Sequence, residues 1–336
     1  MLIEAKYYES LDQQKVKCTL CPHECILSLN KTGICRTRKN IDGKLFTLAY
    51  SNPCAVNIDP IEKKPLSHFL PSSKTFSIAT AGCNLACDNC QNSTISQSSP
   101  SQLKHYDISP TEVIKLAKEN NCKSISYTYT DPVAFYEYTL ETAKIARTNN
   151  LKNVIISAGY INPKPLKELI PFIDAANIDL KNFDDNIYKK INKATLKPVL
   201  ETLKTLKENN IWLEITYLLI PGLNNSDKML NEMCGWLSKN GFNETPIHLS
   251  KYFPTYKMLN YRETNIKDLT KAKEIALQHG IKFIYIGNIA GNNSENTYCP
   301  NCNQTLIKRI GYNVLSNNII EGKCKFCSTN ISGIWS

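Results

Sequence analysis

The chain has 336 residues and a formal net charge of +10, with charged residues interspersed among an ordinary share of apolar ones. That length carries one large α/β domain with smaller appendages, and the composition excludes a disordered or fibrous chain. No apolar run approaches the length needed to span a bilayer, and the opening Leu2-Ile3-Glu4-Ala5-Lys6 runs into tyrosines and charges instead of the apolar core of a secretory signal.

Fourteen cysteines dominate the composition. They fall into three groups, Cys18/Cys21/Cys25/Cys35, Cys83/Cys87/Cys90 and Cys299/Cys302/Cys324/Cys327, with Cys54, Cys122 and Cys234 left over as ordinary thiols. Clustered C-x2-C pairs without an export signal read as metal sites in a reducing compartment, so a cytoplasmic setting is expected. The lysines are scattered singly along helical stretches. They are compatible with a solvated surface and leave nucleic-acid binding open.

The first module is expected over residues 1–71. Cys18-Thr19-Leu20-Cys21-Pro22-His23-Glu24-Cys25 and Gly33-Ile34-Cys35 supply four thiols, with His23 a spare donor. Zinc is the default for such a set, and an auxiliary iron–sulfur cluster is its rival, because four thiolates serve both. Asp59-Pro60-Ile61-Glu62-Lys63-Lys64-Pro65-Leu66 then reads as a proline-marked connector.

A central domain is expected over 72–294, where short apolar runs alternate with helical segments in the manner of βα units. Strands are expected at Lys74–Ala79, 123–127, 153–157, 175–178, 211–219, 246–249 and 282–286. Ser109-Pro110-Thr111-Glu112 opens a helix with a capping residue, a first-turn proline and an early acid. Most of the strands end in a polar or glycine-containing cluster, and in (β/α) barrels that edge carries the catalytic groups. A partial barrel accommodates this pattern, and a doubly wound sheet competes with it.

After the first of these strands comes Cys83-Asn84-Leu85-Ala86-Cys87-Asp88-Asn89-Cys90, followed by Gln91-Asn92. Three cysteines spaced C-x3-C-x2-C can hold a [4Fe–4S] cube by three irons and leave the fourth open to a small molecule. A three-thiolate zinc is the alternative, with Asp88 and His105 as the nearest extra donors. A last module is expected over 295–336. Cys299-Pro300-Asn301-Cys302 and Cys324-Lys325-Phe326-Cys327 are two knuckles separated by strand-like residues, close to zinc-ribbon spacing and closed to further ligands.

The C-x3-C-x2-C loop is the signature of the radical S-adenosylmethionine (SAM) superfamily. Together with Cys18-x2-Cys21-Pro22-His23-x-Cys25, the Asp59 to Leu66 run and the terminal four cysteines, the chain resembles the radical SAM enzymes of the AmmeMemoRadiSam system, relatives of pyruvate formate-lyase activating enzymes. The likeness extends to Asp179-Leu180-Lys181, Ile220-Pro221-Gly222 and Tyr285-Ile286-Gly287-Asn288.

The resemblance implies an α/β fold, a partial TIM barrel with an N-terminal four-cysteine module and a C-terminal zinc-ribbon-like one. It also implies a [4Fe–4S] cluster on Cys83, Cys87 and Cys90, and SAM cleaved reductively to a 5′-deoxyadenosyl radical that takes hydrogen from a substrate. Asp131 stands where relatives place a Glu for the SAM amino group, and Asp179 and Lys181 match an Asp-x-Lys beside SAM. Ser157-Ala158-Gly159 replaces Ser/Thr-Asn-Gly. Asn89, Ser157, Glu214 and Asn288 complete the expected cofactor-binding set, and His248 reads as a satisfied strand-end histidine. The implied partners are Memo-like and AMMECR-like proteins and an electron donor such as flavodoxin or ferredoxin. Two other readings remain, an activase of glycyl-radical enzymes and a non-enzymatic zinc-module protein that binds nucleic acid.

Overall fold

The computed structural model describes residues 2–289 and 293–336. Its centre is an eight-stranded sheet made of β1 (Ala55–Pro60), β2 (Lys74–Ala79), β3 (Ser124–Tyr127), β4 (Lys152–Ser157), β5 (Ala175–Asp179), β6 (Trp212–Leu219), β7 (Ile247–Lys251) and β8 (Ile284–Gly287). From β2 to β8 the strands are parallel and lie side by side in chain order, while β1 pairs antiparallel with β2 at one edge. A doubly wound sheet reverses its strand order at a switch point. This one does not reverse.

The parallel strands are short runs of apolar and small residues, and the sheet is covered on both faces, so that Thr75, Ser77, Ser124 and Ser126 are buried with their apolar neighbours. All four residues of β3 are buried, for example, and so are five of the six in β2. Between them run α1 (Pro110–Glu119), α2 (Tyr136–Thr148), α3 (Pro163–Leu169), α4 (Leu196–Glu208), α5 (Asp227–Lys239) and α6 (Ile266–Gln278). The start of α1 follows from its sequence: the Ser109 side chain accepts from the Glu112 backbone N–H, and Pro110 occupies the first turn, where no donor is needed.

The N-terminal module is two small antiparallel sheets. Its Val16, Leu20, Leu27 and Leu45 join the same buried cluster as Phe76, Ile125 and Ile178 of the central sheet, so the two share one core. β1 lies inside the expected first module, 1–71, and pairs along its whole length with β2. The C-terminal module pairs Thr297–Tyr298, Thr305–Ile310 and Asn313–Asn317 in one antiparallel sheet. It has its own buried cluster, which includes Phe283 and Tyr285 from the end of the central sheet. No helix among the described residues is long and apolar enough to cross a membrane.

Candidate active site

At the carboxyl ends of the parallel strands lies an open cavity of about 2340 Å³, counting the solvent it opens onto. Cys83, Cys87 and Cys90 all line it, on the loop that follows β2. That loop is pinned from several sides. The Asp88 N–H donates to Ile191 O at 2.9 Å, and Asn84 Nδ2 donates to Tyr160 O at 2.8 Å. Asn192 ends a one-turn π-helical segment, Tyr188–Asn192, a distortion that often accompanies functional positions. Its side chain donates to Cys87 Sγ at 3.3 Å. The Leu85 N–H donates to Cys83 Sγ at 3.4 Å, and Ser96 Oγ lies 3.2 Å from Cys90 Sγ.

These donors suit thiolates bound to iron, since hydrogen bonds to sulfur tune such clusters. The three sulfurs do not converge on one point with a further donor. Among the described residues, the only three or more ligand atoms that all lie within 4.8 Å of one another belong to the C-terminal cysteines. Asp88 is paired instead with Lys193 at 3.2 Å, and His105 is exposed beside Asp107, so neither completes a zinc site. The cysteine loop therefore fits a [4Fe–4S] cluster and fits a single ion poorly.

Of the other expected residues, Asn89, Asp131, Ser157, Asp179, Lys181 and Asn288 line the cavity with the cysteines. Asn89 Oδ1 is buried with no protein partner, an acceptor left for a ligand. Asp131 accepts from the Val133 and Ala158 N–H groups at 3.0 and 2.8 Å and from Ser157 Oγ at 3.0 Å, so it fastens β3 to β4 at the cavity. Burial raises its carboxyl above the usual range, against those N–H donors, Ser157 and the Lys181 charge. Lys181 Nζ donates to Asp179 Oδ2 at 2.6 Å. Burial alone would lower the Lys181 ammonium, but the charges of Asp179 and Cys87 outweigh it and hold its affinity for the proton up.

Glu214 is not brought into the cavity. It is fully buried on β6, where its carboxylate accepts from the Ser67 and His68 N–H groups at 2.9 and 2.8 Å, from Trp212 Nε1 at 3.0 Å and from His248 Nε2 at 2.6 Å. It anchors the connector. His248 is buried and partnered as expected, though its side chain also lines the cavity.

The structure adds residues that spacing did not single out. Asp59 at the end of β1 accepts from Lys64 Nζ at 2.6 Å and from the Tyr129 hydroxyl, and the Lys64 ammonium sits 4.5 Å over the Tyr129 ring. Tyr129 adopts a left-handed backbone (φ 63°), uncommon for an aromatic residue, and Asn92 Nδ2 holds its carbonyl at 2.8 Å. Burial pushes Lys64 down to about 8, with Asp59 opposing. Burial would raise Asp59, but its bonds from Lys64, Tyr129 and Lys63 hold it well below the usual carboxylate range. Across the mouth, Arg309 and Tyr312 of the C-terminal module complete the wall, with Arg309 Nη2 donating to Ser67 O at 2.7 Å. The Asp59 to Lys64 run was visible as a motif, but nothing in it announced a cavity wall.

The profile of the Radical SAM superfamily matches residues 77–237, from β2 through most of α5. Protein MJ0808 of Methanocaldococcus jannaschii, itself uncharacterised, is 43% identical over 330 residues, 98% of each chain. The 4-hydroxyphenylacetate decarboxylase activating enzyme of Clostridium scatologenes is 27% identical over 48% of this chain and 52% of its own. Among solved structures, Streptococcus suis SuiB bound to its precursor peptide SuiA matches with a TM-score of 0.52 at 13% identity, over 68% of this chain and 51% of that one. This chain belongs to the family of the Methanocaldococcus jannaschii protein, and it is an enzyme carrying the radical SAM domain on its central sheet.

Proposed function

We propose that the enzyme binds a [4Fe–4S] cluster on Cys83, Cys87 and Cys90 and SAM beside it in a partial (β/α) barrel. When bound, the pair supplies a 5′-deoxyadenosyl radical that abstracts hydrogen from a substrate in the same cavity. The observation that carries this reading is the arrangement of the cysteine loop. Three thiols open onto one cavity, each has a hydrogen-bonding neighbour, and among the described residues they form no tight group of ligand atoms that would hold a single ion.

The chain's own residues divide the work. Lys181, held by Asp179, offers a cation to the SAM carboxylate, while Asn89 and Asp131 offer acceptors to its amino group. Ser157 holds the Asp131 carboxylate in place. Lys64, Tyr129, Arg309 and Tyr312 form the opposite wall, where a substrate would lie. The C-terminal cysteines hold a structural zinc. The strand order without reversal supports the barrel reading.

The composite of four-cysteine modules on both sides of this domain favours an enzyme of the AmmeMemoRadiSam type in the cytoplasm, working with Memo-like and AMMECR-like proteins and a flavodoxin or ferredoxin donor. The second reading, a glycyl-radical activase, is favoured by the likeness to the decarboxylase activating enzyme over half the chain. Anaerobic reconstitution followed by dithionite and SAM should release 5′-deoxyadenosine, and Cys87→Ala should abolish it. No SAM cleavage by the reconstituted protein sinks the radical reading. Substrate turnover that appears only with the two candidate partners favours the three-component system over the activase.

A further inference from the structure

The eight cysteines of the two outer modules are not held alike. A zinc–sulfur bond of about 2.3 Å in a tetrahedron puts the thiolate sulfurs roughly 3.8 Å apart. The C-terminal set has this geometry: Cys299 Sγ lies 3.5 Å from Cys327 Sγ and Cys302 Sγ 3.7 Å from Cys324 Sγ, with all four sulfurs within 4.8 Å of one another. Cys18, Cys21, Cys25 and Cys35 do not close together in that way, for no three of them form such a group.

They nonetheless face one space. All four line one small cavity, partly open to solvent, with Gly33 and Arg38 in its wall. A Cβ at Gly33 would stand 3.6 Å from Cys35 Sγ and 3.8 Å from Cys25 Sγ, so a longer side chain there would crowd both sulfurs. Arg38, fully buried and ion-paired with Glu137, donates to Cys18 Sγ at 3.6 Å and places a fixed positive charge beside the thiols. Four thiolates spread around a cavity without a common centre suit a cubane, in which each sulfur binds its own iron.

This cavity abuts the cysteine loop of the active site. A Cβ on Gly82 would come within 2.5 Å of the Cys35 carbonyl oxygen, so those two backbones are already in contact. His23 Nε2 donates to Asn84 O at 2.8 Å, and Asn84 lines the N-terminal cavity. Gly82 and Asn84 flank Cys83. On the outer side, Cys25 and Cys35 are partly exposed and neighbour the exposed Ile26 and Ile34.

We propose that Cys18, Cys21, Cys25 and Cys35 hold a second, fully cysteine-ligated [4Fe–4S] cluster that passes single electrons to the Cys83/Cys87/Cys90 site. The transfer makes and breaks no bond. A low-potential one-electron protein donor, of the flavodoxin or ferredoxin class, is oxidised by one electron, and that electron moves through the second cluster to the first. The relay rests on the proposed function, whereas the ligand assignment does not.

A C83A/C87A/C90A protein, reconstituted anaerobically with iron and sulfide, tests the assignment without disturbing the N-terminal module. It should keep about four of about eight irons and give a paramagnetic cluster signal on reduction with dithionite. A colourless protein holding only zinc overturns the assignment, and it does so whatever SAM cleavage the unaltered enzyme shows. In a Cys21→Ser/Cys25→Ser protein the iron should again halve, while dithionite-driven SAM cleavage persists. Reduction of the remaining cluster by reduced flavodoxin, followed by electron paramagnetic resonance, should slow at least tenfold. An unchanged flavodoxin-driven rate overturns the relay.

Discussion

Lys64 is the residue whose surroundings matter most beyond the cysteines. Its ammonium and the Asp59 carboxylate are both almost fully buried, and the pair is completed by the Tyr129 hydroxyl and ring. Lys64→Met would leave the buried Asp59 carboxylate with the half-exposed Lys63 as its cation and the Tyr129 hydroxyl as its neutral donor, so a loss of roughly 3 kcal/mol in urea unfolding is expected. His68 makes a separate prediction. It is fully buried against Tyr285 and the Ser332 carbonyl, with Glu214 and Arg309 nearby, and burial pushes it down to about 4 from its usual 6.5. The folded protein thus keeps His68 neutral while the unfolded chain takes up a proton near pH 6.5. Its contribution to stability is complete above that pH and is lost as the pH falls from 6.5 towards 4, by about 3 kcal/mol at the end of the window. Unfolding measured at pH 7.5 and pH 4.5 should show this loss in the unaltered protein and a smaller one in His68→Gln. An equal loss in both would exclude His68 as its source.

At the scale of elements, the active-site loop is shaped by what it leans on. Gly82 has φ 93°, and a Cβ there would meet the Cys35 carbonyl and the Thr37 methyl, each at 2.5 Å. Gly82→Ala must therefore move backbone, not merely a flexible side-chain end. A cost of about 2 kcal/mol or more is expected in thermal or urea unfolding, together with weakened iron binding at Cys83, its neighbour in sequence. A fully stable, fully loaded variant would contradict this packing. Spacing showed that Cys83, Cys87 and Cys90 belong together, but it could not show that Asn192 would reach Cys87. That contact depends on the π-helical turn Tyr188–Asn192, which brings a residue about a hundred positions away against the loop.

At the scale of the whole molecule, the C-terminal module is part of the active-site wall. The C-terminal module is fastened to the 66–70 segment by the Leu70 N–H to the Ile334 carbonyl and the Ile334 N–H to the His68 carbonyl, both at 2.7 Å, and it sends Arg309 and Tyr312 to the cavity mouth. Cys324→Ser with Cys327→Ser should lose the metal of that module while Cys83, Cys87 and Cys90 still bind iron. Faster proteolysis between residues 295 and 336 and weaker substrate binding should follow, with SAM cleavage in the absence of substrate little changed. Metal analysis and limited digestion check this. A module that stays protease-resistant without its metal would show that the contacts to the 66–70 segment suffice.

The sequence by itself determined the parallel strands, because short runs of apolar and small residues such as Lys74–Ala79 and Ala175–Asp179 alternate with helical stretches, and that alternation is a local property of the chain. It also determined the three cysteine groups, whose spacing is a local property of the chain. Only the tertiary structure decided that Asp59 and Lys64 meet Tyr129, since that meeting requires β1 to pair backwards along β2 while a left-handed tyrosine turns in from the end of β3. It withdrew Glu214 from the cavity for the same reason: the carboxylate is spent on the backbone of a segment far away in sequence. It also separated the two four-cysteine modules. Their spacings admit the same metals, but the distances between sulfurs are set by how each set of strands and turns packs, and one set closes on a point while the other surrounds a space.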